Sequence, residues 1–105
     1  MARTPSLTAV TILQAIARGS SYGFDIIDRT GLPSGTVYPA LSRFERDGYV
    51  RSTWEDVAAA HDEKRPPRRY YHLTAQGRRA LDAALERLRE IRGMTSRPAP
   101  ARSRG

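Results

Sequence analysis

The stretch Leu32-Pro-Ser-Gly-Thr-Val-Tyr-Pro-Ala-Leu-Ser-Arg-Phe-Glu-Arg-Asp-Gly48 decides the fold. It reads as a capped helix with two unlike faces. Ser34 is placed as the N-cap, because its hydroxyl can accept a backbone N–H of the first turn. Val37, Leu41 and Phe44 recur at i, i+4 and i+7 and form one buried stripe. Gly48 follows as a C′ stop. The other face offers Thr36, Tyr38, Ser42, Arg43 and Arg46, side chains able to reach phosphates or base edges. Pro39 strains this reading. A proline is tolerated where the N–H it removes has no intrahelical partner, so the regular helix is expected to start nearer Thr36. Alone, the pattern equally fits an ordinary amphipathic surface helix. The flanking sequence has to decide.

Upstream, Leu7, Val10, Leu13 and Ala17 keep a helical spacing, widened by Ile12 and Ile16 and ended by Gly19. Ser20 or Ser21 is expected to cap a second helix from about Tyr22 to Arg29, which buries Ile26 and Ile27. Thr30-Gly-Leu-Pro33 is a turn. Downstream the period changes. Tyr49 to Glu55 is rich in β-formers and roughly alternates, and Arg69-Tyr-Tyr-His-Leu73 reads as its antiparallel partner. Asp56 to Arg68, polar and carrying Pro66-Pro67, is expected to be an extended loop at the hairpin tip. Thr74 then caps a long helix from Ala75 to about Arg92, with Gly93 as its stop.

The expected fold class is mainly α, an α+β winged helix. It has a three-helix helix-turn-helix core, a two-stranded β-hairpin wing and a long C-terminal dimerisation helix. The expected divisions are a flexible basic arm at 1–6, the DNA-binding domain at 7–74, the dimerisation helix at 75–92 and a disordered basic tail at 93–105. In such a layout the third helix enters the major groove, and the hairpin loop lies over the backbone or the minor groove.

Composition agrees. The 105 residues carry 18 basic against 11 acidic side chains, a net charge of +7, and lack cysteine. The charge favours a polyanion, with nucleic acid first and an acidic membrane surface second. Cysteine-ligated zinc, thiolate nucleophiles and disulfides are excluded. No apolar run reaches membrane-spanning length and no signal-peptide pattern opens the chain, so a cytoplasmic protein is expected, without membrane contact. His61 and His72 lack a metal-ligand spacing, and no phosphate loop, nucleophile elbow or paired carboxylates stand out. The expectation is a non-enzyme without cofactor or metal.

At this point the residues resemble the PadR family of bacterial transcriptional regulators. The matching pieces are Gly19-Ser-Ser-Tyr-Gly-Phe-Asp-Ile26, Gly31-Leu-Pro-Ser-Gly-Thr-Val-Tyr-Pro-Ala-Leu41 and Glu45-Arg-Asp-Gly-Tyr-Val50. Ser52-Thr-Trp-Glu55, Pro67-Arg-Arg-Tyr-Tyr71 and Leu73-Thr-Ala-Gln-Gly77 continue it. The resemblance implies a homodimeric DNA-binding repressor whose effector, where there is one, is a small aromatic or cationic molecule. With one helix after the wing, the chain resembles the shorter members. Its inter-strand loop is longer and more charged than the usual glycine-containing tip.

The expected DNA contacts are Tyr22, Ser34, Thr36, Tyr38 and Arg43, with Lys64, Arg65, Arg68 and Arg69 from the wing. Threonine meets a thymine methyl or a phosphate, and arginine bonds guanine O6 and N7 bidentately. Tyr22 opens helix two, where backbone N–H groups favour a phosphate. The plainer readings are a Tyr38 ring packed on the second helix and a solvated charged turn at Lys64–Arg69. On a strand Arg68 and Arg69 point to opposite faces, so only one contributes fully. Leu7, Val10, Leu81, Leu85, Leu88 and Ile91 are the expected dimer interface, since an exposed stripe of this kind is a liability that a twofold partner covers. Trp54 is read either as core or as part of an effector pocket near that interface. Two further function classes stay open: a winged-helix module docking another regulator, and a structured-RNA binder.

Overall fold

The computed structural model describes residues 5–96. The elements run α1 (Leu7–Ala17), α2 (Gly23–Thr30), α3 (Ser34–Arg46), β1 (Val50–Trp54), α4 (Val57–Asp62), β2 (Arg69–Leu73) and α5 (Ala75–Ser96). This is a mainly helical winged helix with an antiparallel hairpin. The strands pair from Val50↔Leu73 to Trp54↔Arg69. A bridge between Tyr22 and Tyr70 adds the chain before α2 to the sheet edge, and Tyr71 N–H donates to Ser21 O at 2.6 Å.

Ser6 caps α1 by accepting the Ala9 N–H at 3.1 Å, so the end of the expected arm at 1–6 belongs to the helix start. Residues 1–4 and 97–105 of the expected arm and tail lie outside the described residues. Ile12, Leu13, Ile26, Val37, Leu41, Val50 and Leu81 are fully buried and join all the long elements in one core. Helix α3 closes as its sequence predicts. Gly48 takes φ +84°, its N–H bonds Glu45 O at 3.2 Å, and Tyr49 N–H bonds Phe44 O at 2.8 Å. That is the double bond of a Schellman motif, with the Phe44 and Tyr49 rings 6.3 Å apart as its apolar contact.

Four local expectations are corrected. Ser34 is the first helical residue of α3 and caps nothing; Pro33 is the N-cap, and its carbonyl receives the Thr36 and Val37 N–H groups at 2.9 and 3.1 Å. The helix thus starts two residues before Thr36, and Pro39 sits inside it. Its missing N–H leaves the carbonyl of Gly35, an exposed residue, to water. Neither Ser20 nor Ser21 caps α2; Tyr22 holds that position without a side-chain bond, and the Ser20 hydroxyl is buried without a partner.

The tip loop is not extended. Asp56 accepts the Ala58 N–H at 3.4 Å and opens α4, a run of three alanines whose helix propensity the Pro-Pro signal downstream masked. Lys64 ends α4 at φ +58°, with its N–H on His61 O and that of Arg65 on Ala60 O. A lysine occupies the left-handed position that favours glycine. Gly93 does not stop α5, which continues to Ser96. With no left-handed turn at Gly93, its propensity cost of about 1 kcal/mol is outweighed by the helix formers around it.

The start of α5 explains Leu73-Thr-Ala-Gln-Gly77. Thr74 Oγ1 accepts the Gly77 N–H at 3.0 Å and donates to Gly48 O at 2.5 Å. A Cβ on Gly77 would overlap the Tyr49 carbonyl, so only glycine lets α5 seat this closely against the strand entry. Leu81 and Ala84 then bury into the core.

Candidate nucleic-acid interface

Helix α3 turns Val37, Ala40, Leu41 and Phe44 inward. Its outer face therefore presents Ser34, Tyr38, Ser42, Arg43 and Arg46 to solvent, with Thr36 half-buried. Tyr38 is 46% exposed, and its ring lies across Gly23 at the start of α2. A Cβ on Gly23 would stand 2.8 Å from Cζ and Oη of that ring. The Tyr38 ring thus packs on α2, as its plainer reading has it, and leaves part of its surface open to solvent.

The wing base supplies the neighbouring cation. The Arg68 guanidinium lies 4.2 Å from the centre of the Tyr22 ring, and Tyr22 packs edge-on against Tyr70 at 5.8 Å. Among the described residues Glu55 feels the Arg68 charge but is bound by Arg65 instead. Arg69, on the opposite face of the strand, is held instead. It donates to Glu45 Oε1 at 2.8 Å and to Ser52 Oγ at 3.0 Å, while Ser52 donates to Glu45 Oε2 at 2.6 Å. This triangle fastens the last turn of α3 to both strands. Burial pushes the Tyr71 hydroxyl, behind it, above its ordinary pKa.

At the tip the expected cations part company. Arg65 grips Glu55 through both terminal nitrogens, at 2.5 and 2.6 Å, and its Nε meets Glu63 at 3.1 Å. Glu55 also accepts the Arg68 N–H at 3.1 Å. The Arg65 hydrogen bonds outweigh desolvation and hold the Glu55 carboxyl down to about 2, while the Arg65 pKa rises. Arg65 is therefore tied inside the wing, because four carboxylates (Glu55, Asp56, Asp62, Glu63) share its loop, and it also lines the groove beside Tyr38 and Arg68. Lys64 is exposed beside them.

A groove of about 420 Å³ runs between α3, the start of α2 and the wing base. Tyr22, Phe24, Tyr38 and Arg68 line it. Phe24, 73% exposed, is not marked by the sequence, since its spacing of three from Ile27 fits a buried helical stripe equally well. Glu45 and Ser52 were also missed. A carboxylate in the last turn of a helix opposes the helix dipole, and that was the available hint of a cationic partner.

A second groove, about 160 Å³, lies between α1 and α5 and is lined by Leu7, Val10, Ala84, Leu88 and Ile91 among others. Leu7 is 68% and Ile91 45% exposed. Leu81, expected at the interface, is instead core, and Val10 is nearly so, because the first half of α5 covers the domain and only the later half projects. Trp54 is not core and lines neither of these two grooves. It is 66% exposed at the end of β1, with the Arg69 guanidinium 5.6 Å from its ring. Among the described residues no cluster of His, Asp and Glu is placed to hold a metal, and no helix is long and apolar enough to cross a membrane.

The model of the transcriptional regulator PadR-like family matches residues 12–83, from the core of α1 into α5. The chain belongs to the PadR-like family. This PadR-like protein is thus a DNA-binding transcriptional regulator. Solved structures share its fold. A PadR family transcription regulator from Clostridium difficile R20291 is 23% identical over 85% of this chain and 94% of its own, with a TM-score of 0.75. A PadR-like transcription factor from Bacteroides fragilis is 25% identical over 87% and 88%, with a TM-score of 0.71. The PcaV transcriptional regulator from Streptomyces coelicolor, solved with its natural ligand, is 19% identical over 95% and 67%, with a TM-score of 0.75. A comparison with curated proteins finds no match.

Proposed function

We propose that the protein is a homodimeric repressor that binds a pseudo-palindromic operator in the cytoplasm and is released from it by a small-molecule effector. The observation that carries the DNA reading is the groove in which Tyr38 of α3 faces the arginines of the wing base, Arg65, Arg68 and Arg69. Thr36, Tyr38 and Arg43 meet bases or phosphates in the major groove, and Ser34 lies at the edge of that contact. Arg68 takes a phosphate, with Tyr22 as the platform beneath it. Arg69, tied to Glu45, orients α3 and contributes little charge of its own.

The dimer reading rests on the α1–α5 groove. Helix α5 has 22 residues, about 33 Å at 1.5 Å per residue. Leu88 and Ile91 line that groove with the exposed Leu7, and Leu85, one turn before Leu88, is half-buried against the core. A second copy related by a twofold axis covers that surface and sets two α3 helices about one DNA turn apart, roughly 34 Å. The effector is inferred from the family and from PcaV, which was solved with a natural ligand; an aromatic or cationic molecule is the class to test. Trp54, exposed on the wing, serves as a reporter of binding.

Selection of the full chain on random-sequence DNA, followed by light scattering of the complex, is the test. Enrichment of a twofold-symmetric motif bound by two protomers is expected. An asymmetric or absent motif, or a monomer at operator-binding concentrations, would refute the reading.

A further inference from the structure

The wing tip of this protein is unlike a blade made to enter a groove. Beyond the last strand pair, Trp54↔Arg69, the chain forms the six-residue α4 and closes it with a Schellman turn at Lys64. A helix with its side chains is about 10–12 Å across, whereas the minor groove of B-DNA is about 6 Å wide. The tip is too broad to enter. Its charge opposes entry too. Residues 55–65 hold four carboxylates against two cations, Lys64 and Arg65, and Arg65 is tied to Glu55 and Glu63. A narrow minor groove concentrates negative potential, which repels such a tip. At the wing base the situation reverses, since the Arg68 guanidinium rests on Tyr22, and Glu55, the carboxylate that feels its charge, is already bound by Arg65 through both terminal nitrogens.

We propose that all base reading by this protein belongs to α3, and that the wing grips phosphates through Arg68 while its acidic, helix-capped tip stays out of the minor groove. This rests on the DNA-binding reading above. It makes Arg68 a contact of affinity rather than specificity, and Tyr22 the residue that positions it.

The test uses the full chain and operators built with base analogues. Replacing guanine by inosine removes the N2 amino group from the minor groove and leaves the major-groove O6 and N7 in place. Inosine throughout the flanks beneath the wings should change Kd by less than about twofold, whereas 7-deazaguanine within the half-sites should weaken binding roughly tenfold. Arg68→Ala should weaken binding to all sequences alike and lower the slope of log K against log salt by about one. Lys64→Ala should leave that slope unchanged. Tyr22→Phe, which keeps the ring, should behave as the parent, and Tyr22→Leu as Arg68→Ala.

A fivefold or larger loss with inosine flanks, or a fall of one in the slope for Lys64→Ala, overturns the proposal. Failure of the unmodified chain to select any DNA motif removes the reading beneath it, a result separate from either of these.

Discussion

Gly23→Ala is the substitution that most sharply joins this fold to its function. Gly23 is the first residue of α2 and is buried under the Tyr38 ring. An added Cβ would stand 2.8 Å from Cζ and Oη and closer still to Cε1, where ordinary contact begins near 3.4 Å. The helix cannot recede, because Ile26 one turn on is fully buried, so the ring has to leave. The displaced atoms are the far end of a side chain that is 46% exposed, so the cost lies at the low end of overpacking, about 1 kcal/mol, and the better helix propensity of alanine offsets much of it. A net loss of no more than about 1 kcal/mol is expected, about 4–8 °C in Tm at most for a domain of this size.

The larger effect should be on DNA. A displaced Tyr38 no longer holds its place on the open face of α3, and loss of one such contact is worth about 1–3 kcal/mol, roughly tenfold in Kd. Chemical denaturation and fluorescence anisotropy with labelled operator read the two quantities separately. Paired with Tyr38→Ala, the alanine at 23 should cost nothing and stabilise by a few tenths of a kcal/mol. Equal destabilisation in the two backgrounds, or unchanged operator affinity for Gly23→Ala alone, would refute the reasoning.

Three further outcomes are expected. Leu7→Asp with Ile91→Asp, both exposed at the α1–α5 groove, should yield folded monomers that bind operator far more weakly, whereas Leu81→Ala, in the core, should lower stability by about 3–5 kcal/mol; light scattering and urea titration distinguish them, and an unchanged dimer mass for the double variant contradicts the α1–α5 interface. Lys64→Gly should stabilise by about 0.5–1 kcal/mol, since glycine at φ +58° relieves about 1–2 kcal/mol of left-handed strain and costs about 0.5–1 kcal/mol in chain entropy, and a loss on denaturation would mean that the lysine side chain holds the tip. The Glu55 carboxyl is lowered from 4.5 to about 2, so its bond to Arg65 contributes fully above pH 4.5 and is lost as pH falls toward 2. Trp54 fluorescence in the parent should therefore report an intact wing at pH 4 that opens below pH 3, and Arg65→Ala should move that opening toward pH 4.5; coincident titrations would show that the pair does not hold the wing.

The sequence by itself determined the elements whose cause is local. The stripe Val37, Leu41, Phe44 and the stop at Gly48 are properties of helix period and of a residue free to take positive φ. The alternation in Arg69–Leu73 likewise fixed which of Tyr70 and Tyr71 turns inward only up to a choice of face, and the packing of Tyr71 into the core made that choice. Resemblance of whole motifs supplied the family, which the match over residues 12–83 establishes.

Only the tertiary structure decided what each arginine and apolar side chain is for. Seventeen arginines look alike in a sequence, yet Arg65 is tied to Glu55 ten residues away, Arg69 to Glu45 twenty-four away, and Arg68 is left open on Tyr22. Leu81 and Leu88 share one helical stripe, but the core ends between them, so one is buried and the other lines a groove. Charge and hydropathy are one-residue properties, whereas a contact depends on what the fold brings alongside.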